Sequence, residues 1–204
     1  MTTSVLITGF GPFPGAPFNP TGPLVHRLAA RRRPALADVT RIVHVFRTSY
    51  AAVDAELPKL VARHRPDMLL LFGLAARTPY LRIETLARNA VSSTVPDAGG
   101  RILKTAHIRP GGPLGLPGRA PFQRLAQAAR DTGVPVRLSR NAGSYLCNYL
   151  YWSAIEQPSR GRPCRVAFVH VPLVPRPGTS RGRLTLDDLV RAGEAILLAL
   201  LSAR

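Results

Sequence analysis

The run MLLLFG at residues 68–73 decides the fold class, because five consecutive apolar residues are followed directly by a glycine. A continuous apolar run of this length is typical of a central strand in a parallel sheet that helices cover on both faces. Gly73 is expected to end this strand. Further strands are predicted at residues 5–7, 39–46, 134–138 and 166–171.

Helical segments lie between these strands. Their apolar spacing and end signals predict helices at residues 23–33, 49–64, 121–131, 143–157 and 184–202. Residues 82–89 are compatible with a strand or a short helix, and residues 92–117 are expected to form a loop. Strands that alternate with helices predict a single three-layer α/β/α domain over residues 1–204, with a mostly parallel central sheet. Ligands of such sheets usually bind beyond the carboxyl ends of the strands.

The composition of the 204 residues excludes several classes of protein. An apolar fraction of 46% and a charged fraction of 19% are unlike those of a disordered chain. The longest apolar run, residues 195–201, is too short to cross a bilayer. Residues 1–4 have no basic flank before the first apolar run, so we expect no signal peptide. A cytoplasmic location follows as an expectation, and both cysteines should be free thiols there.

The chain is strongly basic, with a formal net charge of +17. Arginine supplies 26 of the 28 basic residues, and the only tight run is Arg31–Arg33. Two interpretations are open: a polyanionic partner, or a solvated surface built from arginine. No zinc-finger spacing, basic zipper or aromatic RNA-binding pattern is present, so we expect no specific nucleic-acid partner. We also expect no membrane partner, because no amphipathic segment is left over from the predicted core.

Metal and phosphate sites are not predicted. The two cysteines form no CxxC pair, and the five histidines show no HExxH spacing. The loop at residues 9–15 follows the first strand, but the GxGxxG pattern fails at Pro14. We therefore expect neither a metal nor a cofactor. Phe10 and Phe13 lie on this stiff loop and, taken alone, are interpreted as caps of the core.

Three separate residues are of the types that together form an activated thiol nucleophile. Cys147 lies near the start of a predicted helix, where amide donors lower a thiol pKa and hold an oxyanion. His170 ends a buried strand, as a general base or simply as a hydrogen-bonded residue. Glu84 lies in an apolar stretch and needs a partner, either a histidine or an arginine. Spacing alone does not bring the three together. Cys164 has no such setting and is interpreted as structural.

Three segments carry a resemblance to a known family. Residues 5–13 (VLITGFGPF), followed by Asn19-Pro20-Thr21, match its N-terminal signature. Residues 142–148 (AGSYLCN) match its motif around the nucleophile, and residues 169–172 (VHVP) match its strand end. Residues 73–89 give a fourth, weaker match. The chain thus resembles, over nearly its full length, the pyroglutamyl peptidase I family of cysteine peptidases, also called pyrrolidone-carboxylate peptidases.

This resemblance implies hydrolysis of an N-terminal pyroglutamyl residue from peptides, without metal or cofactor. Cys147 would attack the pyroglutamyl carbonyl, His170 would accept and return the proton, and Glu84 would hold the histidine tautomer. Residues that match the family's substrate pocket are Phe10, Phe13, Tyr145, Leu146 and Val95. A flat lactam ring suits a slot between aromatic faces. The resemblance also implies a homo-oligomer, either a dimer or a tetramer.

Two departures from the family pattern lie near the expected site. Relatives commonly have Gly-Gln-Ala-Gly-Gly after the third strand, whereas this chain has Leu74 in the position of the glutamine. Many relatives carry an arginine where this chain has Thr94, and Arg88 is the candidate to supply that charge. The alternatives are therefore a related thiol hydrolase with a shifted substrate preference, or an inactive scaffold that binds polyanions.

Overall fold

The computed structural model describes residues 3–13, 15–159, 162–175 and 184–202; the side chains of residues 159, 162 and 163 are not described. Pro14, in the predicted loop, lies outside these ranges. The strands are β1 Thr3–Phe10, β2 Val39–Phe46, β3 Met68–Leu74, β4 Leu81–Glu84, β5 Leu86–Arg88, β6 Gly115–Pro117, β7 Val136–Ser139, β8 Pro158–Ser159, β9 Arg162–Pro163 and β10 Arg165–Val171. The helices are α1 Thr21–Ala29, α2 Tyr50–His64, α3 Phe122–Arg130, α4 Leu146–Glu156 and α5 Leu186–Leu201.

Six of the strands form the central sheet, in the order β2-β1-β3-β10-β4-β7. Every neighbouring pair is parallel except β10 and β4, which are antiparallel. The strands β5 and β6 form a separate antiparallel pair, as do β8 and β9. The prediction of a mostly parallel central sheet is therefore confirmed.

Helices cover both faces of this sheet. The helices α1, α3 and α5 pack on one face, where Leu28, Leu125 and Leu197 are fully buried. The helices α2 and α4 pack on the other face, where Leu57 and Trp152 are buried. The apolar strands β3 and β10 lie in the middle of the sheet because they are buried on both sides. The predicted three-layer arrangement follows from these two apolar clusters.

Predicted and observed boundaries agree where the sequence changes character sharply. The strand at residues 39–46 is found with its predicted limits. Thr185 caps α5, within the predicted helix at residues 184–202, and forms a capping box with Asp188. Gly133 has a φ of 84° and closes the turn after α3.

Other boundaries were predicted wrongly. Gly73 does not end β3, because Gly73 and Leu74 still pair with β10. The helix α4 starts at Leu146 rather than at residue 143, since Gly143 has a φ of 86° and Tyr145 is extended. The helix α1 ends at Ala29, ahead of its predicted end, and a short 3₁₀ turn follows at residues 34–36.

The undecided stretch at residues 82–89 forms two strands. The first, β4, joins the central sheet beside β10, and the second, β5, pairs with β6. The long loop predicted at residues 92–117 is irregular up to β6, which occupies its last three residues. No helix of the described residues is long and apolar enough to cross a membrane.

Candidate active site

Cys147 lies in the first turn of α4, directly above the sheet. Tyr145 is the N-cap residue, so Cys147 is the second residue of the helix, at an end rich in unpaired amide donors. Its sulfur lies over Gly73: a Cβ atom added to Gly73 would be 2.7 Å from the Cys147 Sγ. Gly73 is in turn the pairing partner of His170 in the β3–β10 ladder. The helix start and the sheet centre therefore bring the predicted thiol and the predicted base together.

His170 and Glu84 form a buried pair beside this thiol. The Nδ1 atom of His170 is 2.7 Å from the Oε1 atom of Glu84. The His170 side chain is 4% exposed and the Glu84 side chain is fully buried. The antiparallel pairing of β4 and β10 makes this contact possible, because it sets Glu84 opposite Phe168, two residues from His170 on the same face.

Burial and charge shift the pKa values of this pair. Burial alone would raise the pKa of Glu84, but the hydrogen bond and charge of His170 hold it below its ordinary value. Burial is also the main reason why the pKa of His170 is lowered, although Glu84 acts in the opposite direction. At neutral pH the pair is therefore a carboxylate and a neutral imidazole. The Nδ1–H group of His170 donates a hydrogen bond to the carboxylate of Glu84.

The Cys147 thiol is neutral in this resting arrangement. Burial and the nearby charge of Glu84 raise the pKa of Cys147 to about 12. The backbone amides of Leu74 and Cys147 itself act in the opposite direction, as does the charge of Arg82. A thiol with this pKa needs a base that removes its proton during attack.

Leu74 and Thr94, the two departures from the family pattern, both make contacts through their backbone amides. Leu74 presents its backbone amide to the Cys147 sulfur. Thr94 and its neighbours are held by Ser92, whose Oγ accepts hydrogen bonds from the amides of Thr94 and Val95. Arg88 is exposed and its Nη1 donates to the Asn141 Oδ1 at 3.2 Å.

The five predicted substrate-binding residues differ in exposure. Phe10 and Leu146 are buried, 2% and 1% exposed, and both belong to the apolar cluster under α2 and α4. Phe13 and Tyr145 are half-buried, whereas Val95 is 48% exposed. Three of the five therefore present surface to a ligand, and two support that surface from below.

Hydrogen bonds join the loops that carry these residues. The Tyr145 hydroxyl donates to the carbonyl of Pro96 at 2.9 Å, next to Val95. The carboxylate of Asp97 accepts from the backbone amides of Tyr50, Gly99 and Arg101. These contacts fix the exposed loop around Val95 against the starts of α2 and α4.

The loop that carries Phe10 and Phe13 is attached to the same assembly. The amide of Gly11 donates to the carbonyl of Phe46 at 2.9 Å, and the Thr48 hydroxyl donates to the carbonyl of Gly11 at 3.2 Å. The amide of Ala98 donates to the carbonyl of Thr48 at 2.9 Å. A continuous set of contacts thus runs from the first loop to the segment around Val95.

Sequence reasoning assigned no role to Asn148 and Arg82. The fully buried Asn148 amide donates to the carbonyls of Arg88 and Ala90 and accepts from the amide of Arg88. It thereby anchors β5 to the helix that carries Cys147. Its place directly after the cysteine was the only signal. Arg82 contacts both members of the buried pair, and no motif or spacing in the sequence indicates this contact.

Cys164 lies away from this site. It is buried, and its thiol donates to the carbonyl of Pro66 at 3.4 Å. A cavity of about 730 Å³ is lined by residues 76–79, 133–135 and 172–173 with Leu184 and Asp188, so it includes neither thiol. Among the described residues, no group of three or more His, Cys, Asp or Glu side chains is placed to hold a metal ion.

Comparisons with known proteins give one consistent result. A family model described as pyroglutamyl peptidase matches residues 3–194. The pyrrolidone-carboxylate peptidase of Thermococcus onnurineus is 30% identical over 98% of this chain and 99% of its own length. The corresponding protein of Bacillus subtilis is 32% identical over 94% of this chain and 89% of its own. The crystal structure of Bacillus amyloliquefaciens pyroglutamyl peptidase I superposes with a TM-score of 0.85, at 27% identity and 98% coverage of both chains.

Proposed function

Because the chain belongs to the pyroglutamyl peptidase family, we propose that it removes N-terminal pyroglutamyl residues from peptides, with Cys147 as nucleophile, His170 as base and Glu84 as the acid that orients it. The observation that carries these roles is the buried His170–Glu84 contact of 2.7 Å beside the Cys147 sulfur. No other cysteine of the chain has a histidine and a carboxylate arranged in this way among the described residues.

Hydrolysis proceeds in two stages. The Nε2 atom of His170 accepts the thiol proton as the sulfur bonds to the pyroglutamyl carbonyl carbon, and the carbonyl oxygen becomes negative. The amides of Leu74 and Cys147 stabilise that oxygen. The carbon–nitrogen bond then breaks, the imidazolium returns its proton to the leaving amine, and a thioester remains. Water attacks the thioester with His170 again as base, which releases pyroglutamate and the free thiol.

Glu84 acts on the histidine rather than on the substrate. As a carboxylate it accepts a hydrogen bond from the Nδ1–H group of His170, and the proton stays on the imidazole. The Nε2 atom therefore keeps a lone pair that can accept the thiol proton. It also stabilises the imidazolium that forms during attack. The raised pKa of Cys147 supports this order of events, since a neutral thiol requires a base at the moment of attack.

We assign substrate binding to the surface formed by Phe13, Tyr145 and Val95, supported from below by Phe10 and Leu146. The half-buried aromatic residues offer flat apolar contact to a lactam ring that has no ammonium group. The hydrogen bond from the Tyr145 hydroxyl to the Pro96 carbonyl ties Tyr145 to the segment that carries Val95.

Residues 1–204 are proposed to act as one domain, in a reducing compartment such as the cytoplasm, and as a homo-oligomer. The two free thiols support the compartment. The homo-oligomer is proposed from the family resemblance alone. Light scattering of the purified chain measures its mass directly.

The test of the proposed function is release of aminomethylcoumarin from a pyroglutamyl substrate. Wild type and Cys164→Ala are expected to cleave it, whereas Cys147→Ser is expected to lose at least about 10³-fold in kcat/KM. A prolyl substrate is the control for specificity, and salt should have little effect on a neutral substrate. Equal activity of Cys147→Ser and wild type would disprove the assignment of the nucleophile. Preference for the prolyl compound would favour the shifted-substrate alternative.

A further inference from the structure

Arg82 lies against both members of the buried histidine–carboxylate pair. It is the pairing partner of His170 in the antiparallel β4–β10 ladder and stands two residues before Glu84, so all three side chains share one face of the sheet. Its Nε atom is 3.2 Å from the Oε1 atom of Glu84, and its Nη2 atom is 3.2 Å from the Nδ1 atom of His170. The Arg82 side chain is only 25% exposed, so water weakens its charge incompletely.

This arrangement gives the Nδ1 atom of His170 two competing neighbours. Glu84 offers an acceptor at 2.7 Å, and Arg82 offers a donor at 3.2 Å. A neutral imidazole nitrogen carries either a proton or a lone pair, so only one of the two contacts is satisfied at a time. The proton on Nδ1 leaves Nε2 free to act as base. The proton on Nε2 would instead direct the Nδ1 lone pair toward Arg82 and leave Nε2 unable to accept a proton.

The ionisation of Glu84 decides between these two tautomers. An ionised carboxylate only accepts, so it requires the proton on Nδ1. A protonated Glu84 would donate to Nδ1 and favour the inactive tautomer. The Oε2 atom of Glu84 is buried and has no hydrogen-bond partner among the described residues, and burial alone would raise the pKa of this carboxyl. His170 and Ser139 oppose that effect of burial, and the charge of Arg82 acts in the same direction as they do. With His170 neutral, Arg82 is the neighbour that carries a permanent positive charge beside this carboxylate.

We propose that Arg82 is a positioning residue of the hydrolysis: it keeps Glu84 ionised, and thereby holds the His170 proton on Nδ1 and Nε2 ready to accept the thiol proton. This inference rests on the proposed function and adds a residue to it. The same charge also opposes protonation of His170 and favours the Cys147 thiolate.

The surroundings of His170 leave few other charges to consider. Glu84 and Arg82 face it from β4, and the Cys147 thiol of α4 lies over Gly73, the residue paired with His170 in β3. Tyr151 of α4 donates its hydroxyl to the Glu84 carbonyl at 2.8 Å, and the uncharged Phe168 ring has its centroid 5.0 Å from that of His170. Ser139 of β7 stands opposite Glu84.

Arg137 of β7 is the matched comparison residue. It pairs with Arg82 in the β4–β7 ladder, but its guanidinium lies 4.3 Å over the Tyr80 ring at the surface. It thus has the same side chain on a neighbouring strand without a contact to Glu84 or His170 among the described residues.

The first experiment is the pH profile of kcat/KM for wild type, Arg82→Met, Arg82→Lys and Arg137→Met. Loss of the Arg82 charge should make the His170–Glu84 pair easier to protonate. The acidic limb of the Arg82→Met profile is therefore expected to move to higher pH by about one unit. This shift is at the low end of the range for removal of a charge at this distance, because Arg82 is partly exposed and water screens its charge. Arg82→Lys should restore most of the shift, and Arg137→Met should show none.

The second measurement needs no activity. Nitrogen NMR of the imidazole in the uninhibited wild type distinguishes Nδ1–H from Nε2–H, and His170→Gln assigns the signal. Wild type is expected to hold the proton on Nδ1 at neutral pH, and Arg82→Met to show a mixture of tautomers as the pH falls. An Nε2–H tautomer in wild type, or an unchanged acidic limb in a folded Arg82→Met, overturns the role of Arg82. If wild type cleaves no pyroglutamyl substrate, the proposed function fails instead, while the tautomer result stands on its own.

Discussion

Replacing Gly73 with alanine tests how closely the nucleophile is fitted to the sheet. The added Cβ would lie 2.7 Å from the Cys147 Sγ and 2.7 Å from the Cζ atom of Phe168, whereas ordinary contacts begin near 3.4 Å. Gly73 is the last but one residue of β3, and both Gly73 and Leu74 are paired with β10, which restricts how far its backbone can retreat. The thiol and the aromatic ring must therefore both move, each by at least about 0.7 Å.

The consequence for catalysis follows from this displacement. A misplacement of about 1 Å costs about 10²-fold in rate, equivalent to about 2.7 kcal/mol in the activation free energy. Crowding of the buried Phe168 ring by the added Cβ costs a further ~1–3 kcal/mol in the free energy of unfolding. We expect Gly73→Ala to fold, to lose stability by that amount and to retain about one hundredth of the wild-type kcat/KM.

The assay compares kcat/KM for a pyroglutamyl coumarin substrate with the midpoint of urea unfolding. Gly193→Ala is the matched control, because Gly193 is also buried but an added Cβ would meet its neighbours at 3.5 Å or more. This control should keep full activity and gain slightly in stability, since alanine favours a helix. A Gly73→Ala protein with wild-type activity would refute the argument that the sulfur lies directly over this residue.

Two further substitutions test how the loops and helices hold the site. Asn148→Ala removes three partly buried hydrogen bonds to the backbone of β5 and its following loop, and the Arg88 amide and the Ala90 carbonyl lose their Asn148 partner. We expect a loss of about 2 kcal/mol in the free energy of unfolding, read from urea unfolding; a loss below about 0.5 kcal/mol would contradict this role. The second substitution, Asp97→Asn, weakens three hydrogen bonds that the Asp97 carboxylate accepts. Burial acts to raise the pKa of Asp97, but the backbone amides of Tyr50, Arg101 and Gly99 outweigh burial, and the net pKa is lowered. A carboxyl with a lowered folded pKa stabilises the protein above its unfolded pKa and loses that contribution as the pH falls through the folded value. The stability difference between wild type and Asp97→Asn should therefore be full at pH 7 and shrink below about pH 4, and a pH-independent difference would argue against the carboxylate charge.

The layers of the fold are predictable because burial leaves a direct trace in the sequence. The apolar runs of β3 and β10 identify the central strands, and the β2 limits coincide with a clear change in residue type. The boundary errors arise where tertiary pairing overrides local signals. Gly73 is a strand breaker by type, but the ladder to His170 continues through it.

The residues of the proposed site stand out in the sequence to different degrees. Cys147, His170 and Glu84 each stand out by residue type and local setting, and the family motifs connect them. Arg82 was not predicted, because an arginine in a basic chain is unremarkable until an antiparallel partner strand sets it opposite His170. That pairing is invisible in the sequence, since β4 and β10 are far apart along the chain and the other central strands run parallel.

The position of β10 has a consequence for how the protein is made. This strand lies between β3 and β4, although β3 and β4 follow each other closely along the chain. A nascent chain that has left the ribosome up to residue 164 already contains the thiol and the carboxylate, but it holds two half-sheets whose facing edges are unpaired. The last strand closes both edges in one insertion and delivers the imidazole at the same moment. Under the proposed mechanism the thiol has no base until the sheet is complete, and the unpaired edges expose the chain to aggregation during the interval before closure.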